Sequence, residues 1–224
     1  MLRSTLIGLL VLSAAPAFAE TRNYDFKTFT KLDISAGYEV IFTQAPQRSV
    51  TIDSEDFSKI TVEQTGDTLR IGRPRNTNIR GRVHDVVRIS APDLEAAELA
   101  AGVKFRADSL RVDNLNLDIN AGVEATFGNV QAQAIKLDLN AGVDVDLSGE
   151  CQTLKVEANA GIDLDADGLK CRSANINAGV GSSVRVYATD SVVARADIGA
   201  SVHVAGSPKS VDKHASFGGS ISID

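Results

Sequence analysis

The chain has 224 residues, 43% of them hydrophobic but only 5% aromatic, with no Trp, one Met, 18 Gly and 5 Pro. Lys and Arg total 23 against 29 Asp and Glu, for a formal net charge of −6. The apolar fraction excludes a disordered chain, the acidic balance excludes an extended nucleic-acid binder, and the length suits one domain.

The first element in chain order is a leader. Arg3 supplies a short positive start, residues 6–12 are apolar, and Ala17-Phe18-Ala19 is an A-x-A cleavage site with Glu20 as the first mature residue. The apolar run is shorter than the roughly 20 residues a membrane helix needs. No Cys follows the cleavage site to carry a lipid. The reading is a signal peptide over 1–19 and one domain over 20–224. Such a protein is exported to the periplasm, or to the surface or surroundings, of a Gram-negative bacterium, and does not span the membrane.

Residues 22–95 show alternation at Leu32, Ile34, Ala36, Tyr38, Val40 and Phe42, which reads as irregular first turns and a cap. Between Leu69 and Ser90 stand Arg70, Arg73, Arg75, Arg80, Arg82 and Arg88, with Asp85 as the one acid. The part from Gly72 to Gly81 contains Pro74 and lacks alternation, so it reads as an exposed loop. Arg73, Arg75, Arg80 and Arg82 are candidates for binding an anionic partner such as lipopolysaccharide, an acidic polysaccharide or the acidic face of a second copy. The plain alternative is a solvated charge run. No aromatic lies in the loop to stack on bases, so nucleic acid is not a partner.

From residue 100 onward one phrase recurs: Ala100-Ala101-Gly102-Val103, Asn120-Ala121-Gly122-Val123, Asn140-Ala141-Gly142-Val143, Asn159-Ala160-Gly161-Ile162 and Asn177-Ala178-Gly179-Val180. Weaker copies stand at Ser35-Ala36-Gly37-Tyr38, Asp197-Ile198-Gly199-Ala200 and Phe217-Gly218-Gly219-Ser220. Inside each copy the period is two: Leu115, Leu117, Ile119, Ala121, Val123, Ala125 and Phe127 alternate with polar residues or Gly. That period is extended chain with one buried face and excludes helix. A unit of about twenty residues with one apolar face buries it only by stacking on its neighbours. The fold expected is all-β, a single-domain β-solenoid, most simply a right-handed parallel β-helix of about seven turns. An antiparallel sandwich also uses short alternating strands, but it does not explain a phrase at constant spacing. The absence of Trp agrees with a narrow core of Ala, Val, Ile and Leu.

In a solenoid, equal offsets from the repeated glycine stack into columns. Asn120, Asn140, Asn159 and Asn177 form one, expected to be a structural amide ladder. Asp144, Asp146, Asp163 and Asp165 form a cluster on adjacent turns, a candidate for weak divalent cation binding, with calcium as the ion. Asp163-Leu164-Asp165-Ala166-Asp167-Gly168 matches the opening of an EF-hand loop, but its twelfth position is Ala174 rather than Glu. No other cofactor is expected. Cys151 and Cys171 fall at nearly equal offsets on adjacent turns, a spacing compatible with a disulfide clamping two coils.

The run Phe29-Thr30-Lys31-Leu32-Asp33-Ile34-Ser35-Ala36-Gly37-Tyr38-Glu39-Val40 and the Asn-Ala-Gly-Val ladder resemble the bacterial head GIN domain family. The resemblance covers most of residues 26–224. It implies an exported β-helical domain with an adhesin-like role and carries over no catalytic residues. No membrane-barrel pattern follows the repeats, so self-secretion is not expected. Three functional classes remain: a non-catalytic binding module for an envelope glycan or another envelope protein, a structural or self-associating envelope component, and a polysaccharide-acting β-helix enzyme. The enzyme is disfavoured. Constant repeat spacing leaves no room for loops that wall a cleft, His84, His203 and His214 are scattered, and no acid and base are singled out.

Overall fold

The computed structural model describes residues 20–75 and 85–224. The leader and the candidate residues Arg80 and Arg82 lie outside the described residues. The strands run in the order β1 Glu20–Tyr24, β2 Lys31–Ser35, β3 Glu39–Gln44, β4 Ser49–Ser54, β5 Thr61–Thr65, β6 Thr68–Gly72, β7 Val86–Ala91, β8 Ala96–Ala100, β9 Lys104–Ala107, β10 Leu110–Asn120, β11 Glu124–Asn140, β12 Asp144–Ala158, β13 Asp163–Ala178, β14 Ser183–Ala196, β15 Ser201–Ala205, β16 Ser210–Ala215 and β17 Ser220–Ile223. Among the described residues the one helical piece is a 3₁₀ turn at Phe57–Lys59.

Pairing from β8 to β17 is parallel, each strand meeting its counterpart one turn later. Three faces result. On the first, the inward column is Ala97, Leu117, Leu137, Val156, Ile176 and Ala194. On the second it is Val40, Phe105, Ala125, Val145, Leu164, Val184 and Val202. On the third, Val112, Ala132, Cys151, Cys171 and Ala188 stand in register. These columns enclose one continuous apolar core from Phe29 to Val204. Alternation in the sequence becomes an inside and an outside because successive side chains of a strand point to opposite faces.

The corner between the first and second faces is the repeated Ala-Gly pair. Ala121 and Gly122 have φ of 54° and 72°, and Ala141 and Gly142 have 59° and 69°. Two successive left-handed residues turn the chain, at a cost of about 1–2 kcal/mol for each alanine. Hydrogen bonds between turns offset it: the Gly102 N–H donates to the Ala121 carbonyl at 3.1 Å, and that of Gly122 to Ala141 at 3.3 Å.

The solenoid has about six turns, one fewer than the repeat count implies. β1, β4 and β5 run antiparallel to their neighbours and close the N-terminal end instead of adding coils. Coil order is also permuted there. β2 lies between β6 and β8, and β3 between β7 and β9, so β6 and β7 lie outside the strands that precede them in sequence.

A second correction concerns the fifth repeat. The left-handed corner glycine is Gly181 (φ 61°), not Gly179. Ser182, 2% exposed, fills the inward position held elsewhere by Val103, Val123, Val143 and Ile162, while Val180 stands 53% exposed. The phrase Asn177-Ala178-Gly179-Val180 is thus displaced by two residues from the corner it resembles.

Candidate functional site

The slip at Gly181 alters the asparagine column. Asn120 faces Asn140 in register, but Asn177 faces Glu157 and not Asn159. The Asn159 amide donates to the Asn140 side-chain oxygen. Asn120 donates to Asp118 at 2.6 Å and Asn177 to Glu157 at 3.0 Å. The continuous amide ladder is therefore corrected to one amide–amide bond flanked by amide–carboxylate bonds.

The four aspartates lie on the second face, Asp144 opposite Asp163 and Asp146 opposite Asp165. Partial burial, then Asp146, Asp163 and Glu124, push the Asp144 carboxyl above its usual range. Arg185 supplies counter-charge, with Nη1 3.4 Å from Asp165 and 3.9 Å from Asp163. Parallel register sets these carboxylates in a flat outward array rather than around a point. Among the described residues no three His, Cys, Asp or Glu side chains converge to hold a metal ion.

Arg73 is not an exposed anion contact, which corrects the loop reading. Its side chain is 6% exposed and its Nη2 meets Asp85 Oδ2 at 2.7 Å, with Asp85 1% exposed. Nε donates to the Ala36 carbonyl at 3.2 Å, and the guanidinium lies 4.9 Å from the centroid of the Tyr38 ring. Tyr38 donates to the Gly72 carbonyl at 2.8 Å, and burial pushes its phenol up to about 12. The pair ties the residue after β6 to the residue before β7. The cue in the sequence was Asp85, the lone acid of a basic stretch, placed across from Arg73. Arg75 is exposed.

Cys151 and Cys171 stand opposite each other in register and are joined by a disulfide, with Cα atoms 4.5 Å apart. Cys151 forms part of the floor of a groove of about 550 Å³ along the third face, which the sequence reading did not find. Two outward columns form its walls. One runs Arg111, Gln131, Glu150 and the other Asp113, Gln133, Gln152, with Asp93 at one end and Val112 and Ala132 beside Cys151 on the floor. Its first rung is fixed by the Gln44 amide, which accepts from the Arg111 N–H and donates to the Arg111 carbonyl, both at 2.8 Å. One side chain thereby takes the place of a missing neighbouring strand.

Arg111 Nε donates to Gln131 Oε1 at 3.0 Å. Among the described residues no hydrogen bond or ion pair ties the side chains of Asp93, Asp113, Gln133, Glu150 or Gln152 to the protein. The groove therefore presents amides and carboxylates with free hydrogen-bonding capacity across three successive turns. It holds no matched acid and base in opposed environments. Columns eight to eleven residues past each corner glycine would have located it; the offsets drift by one at the register shift between Phe127 and Val130.

A separate feature is an apolar ridge along the Ala-Gly corner. It widens from Ala121, Ala141 and Ala160 to Val180, Ile198 (54% exposed) and Phe217 (86% exposed).

The family model described as putative auto-transporter adhesin, head GIN domain, matches residues 28–208. No curated protein matches the chain. Crystal structures of several other proteins share the fold. A putative adhesin from Bacteroides fragilis is 20% identical with a TM-score of 0.86, covering 92% of this chain and 97% of its own. A putative lipid binding protein from Parabacteroides distasonis is 16% identical with a TM-score of 0.73, covering 93% and 98%. A putative adhesin from the same species is 12% identical with a TM-score of 0.69, covering 93% and 97%.

Proposed function

The chain belongs to the head GIN domain family of putative auto-transporter adhesins, and on that footing we propose that it is an exported envelope protein acting as a non-catalytic binding module. The observation that carries this reading is the third-face groove, most of whose polar side chains are held on the strands yet bond to nothing in the protein. A groove open along its length captures a surface component without enclosing it, as adhesion requires and as most catalysis does not. The leader over 1–19 supports export.

The test has two parts. Fractionation of cells carrying the full-length gene should place the chain in the periplasm, on the surface or in the medium, with Glu20 as the mature N-terminus. The purified mature protein should then sediment with isolated cell-envelope material, and Gln133→Ala/Gln152→Ala should reduce that co-sedimentation. Cytoplasmic retention, or an envelope fraction that binds nothing, would refute the proposal.

The corner ridge favours a second reading, contact with a lipid surface through Val180, Ile198 and Phe217. Flotation with phospholipid vesicles, lost in Phe217→Ser, would replace the groove with the ridge as the binding face.

A further inference from the structure

We infer that the third-face groove takes an extended, uncharged polyhydroxylated chain, a neutral glycan laid along the solenoid axis. The inference rests on the binding-module reading and adds the chemistry of the ligand.

Shape comes first. The groove crosses three turns and is lined by residues of β10, β11 and β12 together with Asp93. Its walls repeat the same two positions at the strand spacing, about 4.8 Å. A ligand that satisfies one rung can satisfy the next only if it repeats on nearly that length. One pyranose unit of an extended, equatorially linked glycan advances by close to one rung; alternate units are turned over, but each carries hydroxyls on both edges, so every rung still meets one. An extended peptide presents side chains to one side only every second residue, roughly 6.6–6.8 Å, and falls out of step with the rungs.

Chemistry narrows the class further. Gln131, Gln133 and Gln152 offer amides that both donate and accept, which suits vicinal hydroxyls that do the same. Asp93, Asp113 and Glu150 add acceptors, and Arg111 is the one cation lining the groove. Three carboxylates against one guanidinium repel polyuronates, polyphosphates and nucleic acids. No aromatic lines the groove, so recognition runs through hydrogen bonds rather than ring stacking.

Rigidity matches the task. Gln44 fixes the first rung, and the Cys151–Cys171 bridge ties the last rung to the turn beyond it. A wall already ordered loses little entropy on binding, so weak neutral hydrogen bonds repeated along a chain can hold it. Affinity should then grow with the number of sugar units up to the number of rungs.

Titration calorimetry on the mature, oxidised protein provides the test. The probes are hexasaccharides of N-acetylglucosamine, glucose and xylose, their disaccharides, hexagalacturonate and hexalysine. A neutral hexasaccharide should bind, its disaccharide about tenfold or more weakly. Gln133→Ala/Gln152→Ala should weaken the hexasaccharide about tenfold or more, the loss expected for two neutral hydrogen bonds, with Tm unchanged. Affinity should not depend on salt. The glycan assignment is overturned if no neutral hexasaccharide binds at millimolar concentration, if the double variant binds as well as the parent, or if hexagalacturonate or hexalysine binds more tightly. Should the protein still sediment with envelope material while all three neutral hexasaccharides fail, the binding-module reading stands and the glycan assignment falls. Loss of both removes the reading itself.

Discussion

Two outward surfaces of the solenoid carry polar columns, and they differ in what their side chains bond to. On the first face Asp33, Glu98, Asp118, Asp138 and Glu157 stand in register, five carboxylates on five successive strands. Like charges directly opposite in a sheet are destabilising, and here the protein supplies partners. Arg70 meets Asp33 at 2.6 Å, Lys136 meets Asp138 at 2.6 Å, Lys155 meets Glu157 at 3.2 Å, and the Asn120 amide serves Asp118. Glu98 alone lacks one; burial, Asp33 and Asp118 hold its carboxyl above the usual range. The third-face groove has the opposite character, because most of its polar side chains bond to nothing in the protein. Charge by itself therefore does not mark a site in this fold. The acidic column of the first face is largely compensated, while an inconspicuous set of glutamines is left available.

If that division between committed and available groups is right, disruption should scale with commitment. The largest effect belongs to the buried clasp. Arg73→Ala leaves Asp85 charged and unpaired in the interior and should cost about 3–5 kcal/mol, seen as a lower midpoint in urea or heat. Arg73→Lys should rescue only part of it, since one ammonium cannot serve Asp85 and the Ala36 carbonyl while covering the Tyr38 ring. A midpoint unchanged in Arg73→Ala would return that arginine to the surface.

Next in size is the bridge. Replacing Cys151 and Cys171 by Ala removes a cross-link that closes a loop of one turn, worth about 3 kcal/mol in the chain-entropy account. Thermal unfolding of the oxidised protein against the double variant measures it. A shift near zero would mean that stacking alone sets the geometry of the groove floor.

The smallest effect probes the uncompensated carboxylate of the first-face column. Because the folded protein raises the Glu98 pKa above its ordinary value of 4.5, ionisation opposes folding. Stability is full where Glu98 is protonated in both states and declines as pH rises through the carboxylate range. Glu98→Gln should therefore stabilise the protein at pH 7, by on the order of a few tenths of a kcal/mol given its exposure, and the gain should vanish below about pH 4. A gain that persists in acid would assign the effect to packing.

Much of the fold could be read from the sequence because its cause is local. Leu115, Leu117 and Ile119 alternate with polar residues along the chain itself, and the Ala-Gly corner recurs as a left-handed pair at Ala36-Gly37, Ala101-Gly102, Ala121-Gly122 and Ala141-Gly142. Features that depend on distant pairing could not be read in this way. Nothing in the spacing tells that Leu32 lies between Leu69 and Ala97, or that Asp85 closes on Arg73. Motif similarity misled at Gly179, where two glycines two residues apart compete for one corner and only Gly181 takes the left-handed backbone. The groove was hidden for another reason: its residues carry no motif, and they become a site only when three turns are stacked.

The central claim is that the third face, not the acidic faces or the corner ridge, is where this protein binds. The direct measurement is amide NMR of the ¹⁵N-labelled mature protein titrated with solubilised envelope polysaccharide. The account predicts shifts concentrated on the side-chain amides of Gln131, Gln133 and Gln152 and on the backbone of β10 to β12 beside the groove. Shifts confined to the Glu98–Glu157 column, or to Val180, Ile198 and Phe217, would contradict it.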